Sequence, residues 1–360
     1  LFALQGGELI TPREEKFENL LIEHGKIRLS KGEFDPGSYQ AIDVSGCYVT
    51  PGLIDLQVNG GPACNLWADP TRAQFNTLCH ELVSHGVTAF LPTLITDEIK
   101  HLRKNIDFLE KAINEQSNDM NIPGIHLEGP FISPHRAGVH PLQQIIPPAV
   151  DTMQMLFSDK IRLITLAPEL PGCHELIKFL TRSKVAVSLG HSNATYDQAC
   201  QAFGELGIKM MTHTFNALPP LHHRAPGAIG AALTNDNVWC CFIADGLHVD
   251  PQVLRIALRL KGVERAILVT DMASEGTLSG GLVGSSIFLS QAVRNLVTWG
   301  IANFREAIQM ATLNPAKALG LDADLGMIAN GACADLVVWD AHSLEIKYVF
   351  AKGALVNAPC

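Results

Sequence analysis

The sequence predicts an α/β protein: a (β/α)8 TIM-like barrel carrying a small β-sandwich domain formed by both chain termini. Three observations carry that expectation. Eight apolar segments of strand length follow one another through the middle of the chain, most with an amphipathic helical stretch behind them. Both ends instead alternate short β-like runs with glycine and polar turns. Residues able to bind metal or move protons collect where the apolar segments stop.

At the amino end, LFALQGGELIT, NLLIEHGKIRLS and QAIDVSGCYVT read as short strands, and ADLVVWD and IKYVFAKGALV repeat the pattern at the carboxyl end. Residues 1–51 and 326–360 are therefore expected to form the small β domain, leaving 52–325 for the barrel. There GLIDLQVNG precedes the helical TRAQFNTLCHELVSHG, VTAFLPTLIT precedes a charged helix from about Asp97, and IPGIHLEGPF follows. IRLITLAPE with a helix from about His174, VAVSLGHS with TYDQACQAFGELG, IKMMTHTFNAL, WCCFIADGLH with PQVLRIALRL, and RAILVTDM complete the eight. Repeated βα units argue for a parallel sheet with helices outside. An open doubly wound sheet fits less well, because no Gly-rich dinucleotide turn follows the first strand.

Composition narrows the function. A hydrophobic share of 47%, a charged share of 18% and a net charge of −9 suit a compact globule and offer no basic run for nucleic acid. No stretch is apolar for long enough to span a bilayer, and the first residues lack the basic start and apolar core of a signal peptide. A cytoplasmic protein with neither a nucleic-acid nor a membrane partner is expected. Nine cysteines without a CxxC pair read as reduced core residues.

In such barrels the chemistry sits at the carboxyl ends of the strands. The residues found there are Gln57 and Asn59, Thr93, His126 and Glu128, Glu169, His191, His213 and Asn216, Asp245 and His248, and Asp271. Each alone has an ordinary explanation as a hydrogen-bonded histidine or a helix cap. Glu128, His191 and His213 together do not. One carboxylate and two imidazoles converging on one mouth suit a single divalent ion that keeps a position open, with zinc the first choice and iron or cobalt also suited. His126, one alternation from Glu128, is expected to support them. Asp271, at the end of the last strand, can take a proton from water and later deliver it to a leaving group. Among the loop residues, Arg224 in NALPPLHHRAPG suits a phosphate or carboxylate, and His140 and His248 are better placed than His222 or His223.

The segments PGLIDLQVNG, HLEGPF, GVHP, LGHSNAT, THTFNAL, ADGLHVD, LVTD and NPAKALGL occur in this order along nearly the whole chain. Together they resemble the N-acetylglucosamine-6-phosphate deacetylases of the amidohydrolase superfamily. The resemblance implies metal-dependent hydrolysis of N-acetyl-D-glucosamine 6-phosphate to D-glucosamine 6-phosphate and acetate, in amino-sugar catabolism and recycling. By position it makes Glu128, His191 and His213 the metal ligands and Asp271 the general base, then acid. Val139, His140, Asn216, Ala217, Arg224, Asp245, Gly246, Leu247 and His248 match sugar-phosphate contacts. His248 would also polarise the acetyl carbonyl, Arg224 would hold the phosphate, and the protein would be a homodimer.

Two departures stand out. Many amidohydrolases carry His-x-His after the first strand, where this chain has Gln57 and Asn59; amides are poorer ligands, so one tight metal is expected, with Gln57 near it or its water. After Asp271, MASEGTLSGGLVGSS is shorter than the family's hairpin-bearing segment. Leu282, Val283 and Gly284 are the best match to its contact loop, and Leu278 to Gly280 also resemble it. A cyclic amidase would favour His-x-His with a bridging lysine, neither of which is seen. A non-catalytic sugar-phosphate binder would have lost Asp271 or a ligand histidine.

Overall fold

The computed structural model describes residues 1–11, 19–30, 36–115, 120–274, 277–278 and 281–357. Its centre is one eight-stranded sheet: β1 (Leu53–Val58), β2 (Val87–Ile95), β3 (Ile125–Glu128), β4 (Ile161–Leu166), β5 (Ala186–Leu189), β6 (Met210–Met211), β7 (Trp239–Ile243) and β8 (Ala266–Val269). Each strand pairs in parallel with the next in chain order. Each is followed by a helix: α1 (Arg72–Ser84), α2 (Ile99–Asn114), α3 (Val150–Leu156), α4 (Cys173–Arg182), α5 (Tyr196–Gly204), α6 (Gly227–Leu233), α7 (Pro251–Lys261) and α8 (Leu289–Thr298). The eight apolar segments are thus the eight strands of a (β/α)8 barrel.

The helices start where local chemistry allows. Thr71 and Thr195 accept the N3 backbone N–H of α1 and α5, while Gln74 and Gln198 reach back to the cap, so orphan donors are satisfied on both sides. Asp250 caps α7, with Pro251 at the first helical position, where a missing N–H costs nothing.

Period-two alternation divides the strands. Phe90, Leu127, Ile164, Leu189, Phe242 and Leu268 pack outward against the helices. Ile54, Leu56, Ala89, Leu91, Leu163, Met210, Trp239, Cys241, Ile267 and Val269 fill the interior, joined by Ala316 of the helix Leu313–Ala318. Above that apolar floor the interior turns polar. His126 Nε2 meets Thr165 Oγ1 at 2.8 Å, Thr165 meets Thr212 at 2.7 Å, and Ser188 meets Thr212 at 2.6 Å. These buried groups satisfy one another, which removes the penalty for enclosing them.

The barrel closes where its first and last strands meet. Asp55, fully buried, accepts from Thr270 N (3.2 Å), Thr270 Oγ1 (2.6 Å) and Gln57 N (3.2 Å). Val58 pairs with Met272 beside it, and Asn59 N donates to Met272 O at 2.7 Å. Burial raises the Asp55 carboxyl to about 6, although its three donors favour the charged form.

Two further sheets come from the ends of the chain. A four-stranded sheet is ordered Lys26–Ser30, Asn19–Glu23, Phe2–Gln5, Gln40–Asp43, and a five-stranded one Glu8–Leu9, Cys47–Pro51, Leu336–Asp340, Ile346–Ala351, Ala354–Asn357. Leu4, Leu20, Ile22 and Ile27 meet Val49, Leu336, Val338 and Phe350 in one apolar cluster, the interior of a small sandwich. No helix among the described residues is long and apolar enough to cross a membrane.

Candidate metal centre and active site

At the carboxyl mouth three ligand-type side chains come together. Glu128 ends β3, His191 lies two residues beyond β5, and His213 two residues beyond β6. Glu128 Oε1 is 2.9 Å from His213 Nε2 and 3.2 Å from His191 Nε2, and the two Nε2 atoms are 3.1 Å apart. All three residues are buried. Donors about 2.0–2.1 Å from a tetrahedral ion lie roughly 3.3 Å from each other. The triad therefore has nearly the spacing of a coordination shell before any ion enters it.

The surroundings orient it. Gly190 brings β5 close between its neighbours: a Cβ there would sit 2.6 Å from Thr165 Cγ2 and 2.9 Å from Thr212 Cβ. His191 Nδ1 lies 2.9 Å from the Arg136 carbonyl, which fixes that nitrogen as the donor and frees Nε2 as a ligand. His191, His213 and Asp271 all hold positive φ (46°, 25° and 50°), a cost that non-glycine residues bear mainly at functional sites. Burial opposes a charged Glu128, but hydrogen bonds from the two histidines outweigh it and hold the carboxyl well below the ordinary range. Burial likewise opposes a charged His213, and Glu128 overrides it, pulling the imidazole up to about 9. The pocket recruits positive charge, and a proton and a divalent ion compete for the same nitrogen.

His140 also comes close. Glu128, His140 and His191 each offer a ligand atom within 4.8 Å of the others. The tautomer argues against ligation by His140. Its Nδ1 accepts from Thr96 N (3.3 Å) and contacts Thr96 Oγ1 (2.7 Å), so Nε2 carries the proton and faces Glu128 Oε2 at 3.8 Å. Burial, reinforced by the neighbouring His191, keeps this ring neutral well below the usual histidine range.

Asp271 follows β8 and lines the same cavity of about 150 Å³ as the triad. Burial first, and the nearby Glu128 charge second, raise its carboxyl to about 7. Asn59 Nδ2 donates to its Oδ1 at 2.7 Å. The cavity is also lined by Val139, His140, Asn216, Ala217 and His248, and by Leu282 and Val283. Thr277–Leu278 and Gly281–Leu282 form a two-residue antiparallel ladder, while Ser279 and Gly280 lie outside the described residues. Gly284 passes so close to the end of β8 that a Cβ would stand 2.3 Å from Asp271 O.

Other residues singled out from the sequence do not line the cavity. Gln57 stands behind it and donates to Glu128 Oε1 at 3.0 Å. Asp245 accepts from Leu247 N, His248 N and, at 2.6 Å, His248 Nδ1, so it holds the histidine rather than facing the cavity. Gly246 and Leu247 complete that loop, with Leu247 72% exposed. Arg224 is exposed outside the lining. His126 lies beneath Glu128 in the hydroxyl network, lowered by burial to about 4 and hence neutral. Glu169 braces the turn after His191, accepting from Ser192 Oγ and Asn193 N.

Trp67 and Thr96 also contribute, lining the cavity and fixing His140 respectively. The sequence gives no sign of the tryptophan. Thr96, however, follows a strand end and was open to the same reading as the other strand-end residues.

A barrel of this topology with one carboxylate, two imidazoles and a facing aspartate defines a metal-dependent hydrolase, and residues 48–356 match the amidohydrolase family. The chain belongs to that family. It is 34% identical to the N-acetylglucosamine-6-phosphate deacetylase of Bos taurus, with 98% of this chain and 90% of that protein covered. It is 31% identical to the N-acetylgalactosamine-6-phosphate deacetylase of Escherichia coli O157:H7 over 85% of this chain and 87% of that protein. The N-acetylglucosamine-6-phosphate deacetylase of Pasteurella multocida superposes with a TM-score of 0.91 at 30% identity, covering 99% of each chain. A mutant enzyme from Mycobacterium smegmatis, solved with N-acetyl-D-glucosamine-6-phosphate, superposes at 0.89 with 28% identity and 99% coverage of both chains. Within the amidohydrolases, the chain belongs with the N-acetylglucosamine-6-phosphate deacetylases.

Proposed function

We propose that the protein hydrolyses the acetamide of N-acetyl-D-glucosamine 6-phosphate to D-glucosamine 6-phosphate and acetate, in amino-sugar catabolism and recycling. The observation that carries this reading is a buried aspartate, raised to about 7, in one cavity with a Glu/His/His triad at coordination spacing. A divalent ion held by Glu128, His191 and His213, with zinc the first choice, supplies Lewis acidity, easing loss of a proton from water and polarising a carbonyl oxygen. Gln57 holds the ligand carboxylate in place.

Asp271 takes a proton from the water that attacks the acetyl carbon, and returns it to the nitrogen as the C–N bond breaks. The Nε2–H of His140 is the donor for the developing oxyanion. Of the two histidines that the sequence offers for this role, His140 and His248, it is His140 that fills it. Asp245 occupies His248 Nδ1, so this ring turns Nε2 to the cavity, where it can meet a sugar hydroxyl. Val139, Asn216, Ala217, Leu282 and Val283 line the space left for the sugar. Residues 52–325 are the catalytic unit in this reading, with 1–51 and 326–360 as its companion domain, and the setting is cytoplasmic.

Acetate release from N-acetylglucosamine 6-phosphate should be abolished by a chelator and restored by a divalent metal, and the rate should exceed that with the galactosamine isomer. Binding of the sugar phosphate without metal-dependent turnover would make the protein a binder instead.

The proposed assembly is a homodimer. Val253, Ile256 and Leu260 share the outer face of α7, and Ile256 and Leu260 are 64% and 55% exposed. An apolar helix face of this kind fits a protein partner. Arg224, outside its own cavity lining, would reach the phosphate bound by the other subunit. Ile256→Glu should then yield monomers in sedimentation and raise KM about as much as Arg224→Ala, on the order of 10-fold or more for a lost charged contact. A monomeric variant with unchanged KM refutes the shared site.

A further inference from the structure

Asn59 is engaged at every polar group it has. Its N–H donates to Met272 O (2.7 Å) and its carbonyl accepts from Leu66 N (3.1 Å). Its side-chain nitrogen donates to Asp271 Oδ1 (2.7 Å), and its side-chain oxygen accepts from Trp67 Nε1 (3.3 Å). An indole nitrogen can only donate, so Trp67 decides which end of the amide faces it. The oxygen turns to the indole, and the N–H groups must turn to Asp271. The carboxylate oxygen that receives this bond is held as an acceptor, which leaves Oδ2 to carry the proton.

We propose that Trp67 and Asn59 form a positioning relay that fixes the rotamer of Asp271 and assigns Oδ2 as its proton-carrying oxygen. Neither residue transfers a proton; each acts through the next. The loop bearing Trp67 is braced for the purpose. Trp67 N donates to Asn65 Oδ1 (2.9 Å), closing a turn, and Asp69 is tied to α2 by Lys104 (2.7 Å) and His101 (3.1 Å). The backbone of Asp271 is held separately, by Ser285 N on its carbonyl (3.0 Å), so removing the relay frees the side chain without opening the barrel.

The inference rests on Asp271 being the proton carrier, and the test separates the two. Holoenzyme loaded with one divalent metal is assayed for acetate release as wild type, Trp67→Phe, Asn59→Ala and the double variant. Phenylalanine keeps an aromatic ring on the cavity and removes the N–H donor together with the second ring, whose loss alone would not act through Asn59. Trp67→Phe should lower kcat about 10-fold and Asn59→Ala about 100-fold, within the range that general acid–base catalysis supplies, with KM within about twofold and metal content unchanged. The double variant should be no worse than Asn59→Ala, because the indole acts only through the amide.

Trp67→Phe with wild-type kcat, losses that multiply in the double variant, a change confined to KM, or loss of metal would each overturn the relay. Should Asn59→Ala fail to fold, Asn59→Leu takes its place. A leucine there keeps the shape and has no group to donate to Asp271 or accept from the indole, so the Trp67→Phe effect must again vanish. A fully active Asp271→Asn would instead refute the underlying reading, whatever the relay variants do.

Discussion

Asp271→Asn is expected to keep its metal and lose turnover by ~10²- to 10⁴-fold, the contribution of a positioned acid–base group. The substitution is isosteric, and its oxygen still accepts the Asn59 amide bond, so the cavity keeps its shape. Burial and the Glu128 charge raise the native carboxyl to about 7, which suits it to proton transfer that an amide cannot perform. What disappears is the ability to take a proton and return it. KM and metal content should therefore stay near wild type while kcat falls, as steady-state acetate release and elemental analysis would show. Near-normal rates would mean that another group acts as base.

Glu128→Gln should act at the level of the metal. The carboxylate is the single negative charge shared by His191 and His213, and both imidazoles are within 3.2 Å of its Oε1. An amide loses that charge and is a poorer ligand for a divalent ion than a carboxylate. Metal content should fall well below one per chain, and turnover should drop by at least ~100-fold, with partial recovery in excess metal. Thermal unfolding gives a second readout. Added metal should raise the wild-type Tm and leave the variant's nearly unchanged, because a ligand stabilises a fold only as far as it binds it. A variant that holds a full equivalent of metal would remove Glu128 from the coordination shell.

Much of this architecture could be read from the chain. The eight strands announce themselves as apolar runs because a barrel strand is buried on both faces, and the helices between them by their amphipathic period. β6 is the instructive case. Its apolar run IKMMTHTFNAL suggests a long strand, yet only Met210 and Met211 are paired before the backbone turns left-handed at His213. Ligand geometry, rather than strand propensity, sets where it stops.

The site was legible where chemistry falls at a strand end in one letter, as with Glu128, His191, His213 and Asp271. It was not legible where a role depends on tautomer or amide orientation. Nothing in GVHP says that Thr96 will take Nδ1 of His140, and nothing in DGLHVD says that Asp245 will take Nδ1 of His248. Those bonds decide which ring nitrogen each histidine turns to the cavity. Asn59 shows the same limit. As a replacement for a metal-binding histidine it signals a missing ligand, while its own position under Trp67 and against Asp271 depends on a contact spanning 212 residues.

That span also matters during synthesis. Asp55 and Asn59 leave the ribosome early, and the residues that meet them, Thr270 and Asp271, follow more than two hundred positions later. Contacts so distant in sequence are among the slowest to form. Asp271 therefore joins Glu128, His191 and His213 only as the last strand closes the ring, so the cavity that these four residues line is completed at that step.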